Sequence, residues 1–442
     1  MDWNQLLSTT RFGQEDRRQE QRSVRSQFQR DYDRLIFSSP FRRLQNKTQV
    51  FPLPGSVFVH NRLTHSLEVA SIGRTLGNRV SDKLMERKEY ANIHKLHEIG
   101  TIVATACLAH DMGNPPFGHS GEKAISAFFG KDEGRAIIEK YGLTRQQQND
   151  LTGFEGNANA LRLLTHQFQG RRPGGFSLTY TTLAGLIKYP FDSVSGHKKK
   201  KYGYFASEED TFKQIAQHLN LKELSSGRYT RHPLVLLVEA ADDISYLIMD
   251  LEDAQKLSII DTGRTKNLLM AFHTEREWKD IRKIMKEVTD ANEQISYLRA
   301  ITINKLAQAV ADVFLEHHNA ILEGTFEGSL IDHLAGELKQ PMKKLRDVGI
   351  AEIYKSRKVV EIELAGFNIL ETLVREFTLA LEHQESKYYE NILKLVPGQF
   401  RIQDKDPYEK LRSILDFISG MTDLYALEIY RTITGIEMPS LR

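Results

Sequence analysis

The stretch IGTIVATACLAHDMGNPPFGHSGE, residues 99–122, decides the fold. Its first eleven residues are almost wholly apolar and do not alternate, which predicts a central buried helix rather than a half-exposed strand. The run ends in His110 and Asp111, two metal-type ligands side by side. A turn through Gly113, Pro115 and Pro116 follows, and His119 and Glu122 open the next helix. Four side chains able to coordinate a cation or move a proton thus stand within thirteen positions. The chain holds a single Cys, so no thiolate site can form and metal chemistry must come from His and carboxylates.

Outward from this stretch the helical period dominates. Residues 63–88 (LTHSLEVASIGRTLGNRVSDKLMERK) carry Leu63, Leu67, Ala70, Leu76 and Val80 at three- and four-residue steps. Residues 232–254 (HPLVLLVEAADDISYLIMDLEDA) form a second apolar helix, unusual for its acids. Residues 295–322 and 366–384 extend the pattern. Strand signals are scarce. The best are SRKVVEIELAG (356–366) and QVFPLPGSVFVH (49–60), both short. An all-α fold with at most one small hairpin follows. HQFQGRRPGGFS (166–177) and residues 188–210 read as loops, the latter with four consecutive Lys from 198 to 201. The simplest organisation is a core over 1–255 and a helical C-terminal region over 256–442.

Composition narrows the function classes. Of 442 residues, 40% are hydrophobic and 27% charged, and the net charge is +2. This is the profile of a globular protein, without the global field that marks a nucleic-acid or membrane binder. Cys107 sits mid-helix among apolar residues, so a disulfide framework is excluded and a reducing compartment is expected. The first twenty residues lack the apolar core of a signal peptide, and no run of about 18 apolar residues suggests a membrane span. A cytoplasmic location is the expectation.

Two imidazoles and two carboxylates on separate segments, His65, His110, Asp111 and Asp242, suit five- or six-coordinate Mg²⁺, Mn²⁺, Fe²⁺ or Ni²⁺. Asp242 lies inside an apolar helix, where an aspartate is rarely buried without a partner. His119 and Glu122 share a helix face at i and i+3. A carboxylate there orients the imidazole and favours its charged form, which suits a general acid for an alkoxide leaving group. Asp242, Tyr246 and Asp250 form one polar stripe at i, i+4 and i+8. Arg42, Arg43, Arg62 and Lys188 lie near these elements in sequence and together would offset a triphosphate's charge. No G-x-x-x-x-G-K-[ST] and no H-E-x-x-H occurs, so neither a P-loop nor a zincin is supported.

These blocks resemble a known family. SSPFRRLQNKTQVFP (38–52), HNRLTHSLEVA (60–70), LAHDMGNPPFGHSGE (108–122), FEGNANALRLL (154–164), LTYTTLAGLIKYP (178–190) and EAADDISYLIMDLEDA (239–254) are similar, in order, to the motifs of HD-superfamily deoxyguanosinetriphosphate triphosphohydrolases. The resemblance implies an all-α HD fold and the H…HD…D metal ligands His65, His110, Asp111 and Asp242. It implies His119 and Glu122 as the catalytic pair, and Arg62, Asn157, Lys188 and Lys201 toward the triphosphate. Gln49, Tyr246 and Asp250 match residues around the deoxyribose. The implied reaction turns a dNTP into a deoxynucleoside and inorganic triphosphate with a divalent cation. Such enzymes form homo-oligomers, often tetramers or hexamers, and some respond to a nucleotide effector. Two other readings keep the site: another phosphodiesterase or nucleotidase of the superfamily, or a non-catalytic dNTP-binding regulator. The four-Lys run and the basic segment 17–34 invite nucleic-acid binding, but that segment alternates in sign and lacks aromatic interleaving.

Overall fold

The computed structural model describes residues 1–16, 24–51, 59–196, 201–400, 403 and 405–437. They form an all-α protein, and among them the only sheet is a two-stranded antiparallel hairpin, β1 (Glu223–Ser225) with β2 (Arg228–Tyr229). The nine helices used below are α1 (Gln27–Ile36), α2 (Arg62–Met85), α3 (Ile99–Ala109), α4 (His119–Gly130), α5 (Gly156–Thr165), α6 (Pro233–Lys256), α7 (Ala291–Glu316), α8 (Arg357–Glu382) and α9 (Pro407–Ser419).

Helix α3 is the axis of the core, with ten of its eleven residues buried. Helix α2 lies along it at close range. A methyl group on Gly77 would fall 2.7 Å from the Gly100 Cα, so these two backbones meet only because both positions are glycine. Leu76, Val80 and Ala70 are buried, whereas Leu67, expected on the same apolar stripe, is exposed. Helices α1, α6 and α7 complete the layer around α2 and α3. Cys107 is buried in it. The start of α2 is fixed by a reciprocal cap in which Asn61 and Thr64 bond each other's backbone N–H groups. The start of α6 is fixed by His232 and by Pro233 at the first helical position.

A second apolar cluster joins α4 and α5 to α8 and α9 through Phe128, Phe129, Leu373, Phe377, Leu415 and Ile418. Arg162 of α5 is its polar centre. The side chain is fully buried, meets Asp416 of α9 through three bonds of 2.8–3.0 Å, and also reaches Glu208 and Glu409.

One strand expectation fails and the other falls largely outside the described residues. Residues 356–366 begin helix α8 rather than a strand. Their alternation of Val and Ile with Lys and Glu is local, and the helical periodicity of the following FNILETLVREF carries the segment into one continuous helix. Of QVFPLPGSVFVH, residues 52–58 lie outside the described residues; the ends that flank them pair as a bridge between Thr48 and Asn61. The basic run 17–23 and Lys198–Lys200 also lie outside them. No described helix is long and apolar enough to cross a membrane.

His60 ties α2 to α6 just outside the site. Its ring contacts Glu68 at 3.1 Å and Asp253 at 2.8 Å. Burial opposes its charge, but the two carboxylates outweigh burial and push the ring up to about 10. Its folded-state value lies above that of free imidazole, so the stabilisation is complete below about pH 6.5 and is lost as pH rises toward 10. We expect the unfolding free-energy difference between wild type and His60→Gln, measured by urea titration, to shrink by about 2 kcal/mol between pH 6 and pH 10. A pH-independent difference would remove this ion pair. Arg162→Ala should cost about 3–5 kcal/mol by the same assay, because it strands three carboxylates in a buried cluster.

Candidate active site

One cavity of about 360 Å³ is lined by twelve of the fifteen residues singled out from the sequence for the site, all but Arg42, Arg43 and Asp250. His65 enters from the first turn of α2, and His110 is the C-cap of α3 with Asp111 following it. Asp242 projects from the middle of α6.

The first three offer ligand atoms that all lie within 4.8 Å of one another. Asp242 Oδ1 lies 3.1 Å from His65 Nε2 and 3.5 Å from His110 Nε2. His110 Nε2 lies 3.6 Å from Asp111 Oδ1. Ligands placed around an ion at about 2.1 Å stand roughly 3 Å apart in neighbouring positions, so His65, His110 and Asp111 could hold one small divalent cation, with Asp242 Oδ1 beside both imidazoles. Burial pulls the His110 ring toward neutrality, but Asp111 and Asp242 push it up to about 9. A cation would take the place of that proton between the same groups. His110 Nδ1 faces the Cys107 carbonyl at 2.6 Å, which leaves Nε2 for the ligand position.

The surroundings hold the ligands in place. Arg62 donates to Asp111 Oδ2 at 2.7 Å, and Asn114 donates to Asp111 Oδ1 at 2.5 Å. Burial raises the Asp111 carboxyl, yet Arg62 and the two imidazoles hold it below its usual range. Gly118, at φ +56°, turns the chain into α4; a side chain there would strike the Arg62 guanidinium at 2.4 Å. The C-terminal helices brace this turn. Asp423 accepts from the Phe117 and Thr48 amides at 3.0 and 2.8 Å. Lys47 donates to the Asn114 and Ser419 carbonyls at 2.7 and 2.8 Å.

His119 and Glu122 meet at 2.7 Å through Nδ1 and Oε2. Glu122 Oε1 accepts from the Gly156 amide at 2.7 Å. Burial raises the Glu122 carboxyl, and the His119 contact, Lys201 and the amide bond hold it below its usual range. An ionised carboxylate only accepts, so the His119 proton on this side is Nδ1–H and Nε2 points away. The ring is three-quarters exposed, free to meet a substrate.

The remaining residues divide by position. Lys188 pairs with Glu239 at 3.3 Å and Lys201 with Glu155 at 2.8 Å. Asn157 also bonds Glu155. Gln49 Oε1 is buried without a hydrogen-bond donor. Tyr246 stacks on Tyr354 with ring centroids 5.4 Å apart. Asp250, read from the sequence as a sugar contact, does not line the cavity; it is buried behind Tyr246 and accepts from the Tyr354 hydroxyl at 2.9 Å. Among residues not singled out from the sequence, Asn114, Glu155, Glu239, Asp243 and Tyr189 also line the cavity. Asn114 and Glu155 stand within quoted motifs, and Glu239 lies three residues before Asp242, on the same face of α6. Tyr354 has no local signal.

An all-α core with two imidazoles and two aspartates around one point, and a His-carboxylate pair beside them, defines an HD-type phosphohydrolase. The HD domain model matches residues 62–171, and the phosphohydrolase-associated domain model matches residues 333–432. The chain is 37% identical to a "Deoxyguanosinetriphosphate triphosphohydrolase-like protein" of Synechocystis sp., over 99% of this chain and 100% of the relative. A protein of the same name from Pseudomonas aeruginosa is 37% identical over the whole of both chains, and one from Listeria innocua serovar 6a is 34% identical over 99% and 100%. The chain therefore belongs to the HD-superfamily deoxyguanosinetriphosphate triphosphohydrolase family.

Asp242→Ala should lose bound divalent metal, measured as metal per chain by mass spectrometry after gel filtration, while circular dichroism stays that of a folded helical protein. A folded variant with one tightly held ion per chain would take Asp242 out of the ligand set.

Proposed function

We propose that this protein hydrolyses deoxynucleoside triphosphates, dGTP foremost, to the deoxynucleoside and inorganic triphosphate, with a divalent cation as cofactor. The observation that carries the reading is the single cavity shared by the four ligands, the His119–Glu122 pair and the cations Arg62, Lys188 and Lys201. Held by His65, His110, Asp111 and Asp242, a divalent cation supplies Lewis acidity at the α-phosphate.

The protein's own groups do the rest. Arg62 holds Asp111 toward the cation, while Lys188 and Lys201 face the phosphates and offset their charge and Asn157 offers them an N–H donor. Water attacks the α-phosphorus and the bond to O5′ breaks. The 5′-alkoxide leaves poorly unless protonated, and His119 delivers the proton from Nε2 while Glu122 holds Nδ1. A proton from the attacking water restores the ring, so the turnover balances. General acid assistance of this kind is worth about 10²–10⁴-fold.

At the opposite end the Tyr246–Tyr354 stack and Gln49 suit a deoxyribose. The unpartnered Gln49 oxygen is an acceptor for a sugar hydroxyl, and a wall of stacked rings leaves a 2′-hydroxyl no partner. Asp250 acts through Tyr354, as a positioning residue. Exposed Ile350, Val360 and Leu364 support self-association through the region 256–442. The reading places the enzyme in the cytoplasm.

The test is a panel of four dNTPs and four NTPs with Mg²⁺ or Mn²⁺, products resolved as phosphate, pyrophosphate or triphosphate. Intact triphosphate from dNTPs, with GTP far poorer than dGTP, is expected. Pyrophosphate or phosphate would mark a different superfamily chemistry, and binding without turnover a regulator. His119→Ala should lose about 10²–10⁴-fold in kcat with metal content unchanged; full activity would remove His119 from the mechanism.

A further inference from the structure

A second groove, about 710 Å³, runs away from the cavity and shares His119, Glu122, Glu155 and Lys201 with it. These shared residues lie at the phosphate end, opposite the Tyr246–Tyr354 wall. The groove follows one face of α4. His119, Lys123, Ser126, Ala127 and Gly130 recur there at three- and four-residue steps, and the stripe spans about 16 Å. Its floor is small, because Ser126, Ala127 and Gly130 leave room above the helix.

The charge along it has one sign at the outer end. Lys123 lies one turn beyond His119, and Arg135 projects from the next helix, Asp132–Lys140. Both are exposed, and among the described residues neither forms an ion pair or a side-chain hydrogen bond. At the inner end the two groove carboxylates are already matched, Glu122 by His119 and Glu155 by Lys201. The groove therefore presents unneutralised cations next to the place where the proposed reaction leaves a free polyanion.

We infer that this groove binds inorganic triphosphate and is the path by which that product leaves, with Lys123 and Arg135 as its outer contacts. The inference rests on the proposed reaction for its role, but the binding itself does not require turnover. A linear polyphosphate suits the shape. It is narrow, has no face that needs an aromatic partner, and can pass from Lys201 to Lys123 and Arg135 without losing a cationic neighbour.

The experiment is titration calorimetry of sodium triphosphate into the intact protein in Mg²⁺ buffer. It compares wild type, the double variant Lys123→Gln/Arg135→Gln, and a control that removes equal charge elsewhere, Arg276→Gln/Lys283→Gln. Product inhibition of dNTP hydrolysis is read on the same proteins. Expected is a tenfold or greater rise in Kd and in the inhibition constant for the groove variant only, with initial-rate kcat and KM within twofold of wild type. Unchanged triphosphate affinity, an equal loss in the control, or a KM that rises in step with the inhibition constant would overturn the groove assignment. Absence of dNTP hydrolysis in wild type, with the calorimetric difference intact, would instead overturn the proposed function and leave the binding site standing.

Discussion

The structure depends on bringing two aspartates and two imidazoles to one point inside an apolar helical core. Left alone, the carboxylates would repel each other and resist burial. Here Arg62 and Asn114 hold Asp111, Asp242 Oδ1 sits between both imidazoles, and burial strengthens each attraction. The ligands come from the first turn of α2, the end of α3 and the middle of α6, so the site exists only if those helices pack in one register. The Gly77–Gly100 approach fixes that register between α2 and α3, and the His60 contacts with Glu68 and Asp253 fix it between α2 and α6.

The C-terminal helices belong to the same argument. Among their described residues none lines the cavity, and Tyr354 only stacks on Tyr246, yet they hold the turn that leads into His119 and Glu122. Asp423 bonds the amides of Phe117 and Thr48, Lys47 spans the Asn114 and Ser419 carbonyls, and Ser120 donates to the Glu363 carbonyl at 2.5 Å. Arg162 locks α5 to α9 beneath them. The His119–Glu122 pair is thus oriented from both sides, by the Gly156 amide of α5 and by the braces from beyond residue 360.

Much of this is legible in the chain itself. The apolar run before His110, the turn of Gly and Pro, and the i, i+3 spacing of His119 and Glu122 are local signals, and local signals survive folding. The ligand set spans 65 to 242, and only the order of the motifs ties it together. The braces are silent because Lys47–Ser419 and Thr48–Asp423 join residues more than 370 positions apart. Asp250 stands back from the cavity for a related reason. Its spacing puts it on the face of Asp242 and Tyr246, but Tyr354 comes in from a distant segment and takes its carboxylate. Residues 356–366 mislead because a short alternating stretch is compatible with either period, and only the continuation of α8 decides between them.

The most direct test of the central claim is anomalous diffraction from crystals grown with Mn²⁺. One strong peak per chain is expected, about 2.1–2.3 Å from donor atoms of His65, His110, Asp111 and Asp242. A peak elsewhere, or none in crystals of protein that binds the ion in solution, would contradict the account.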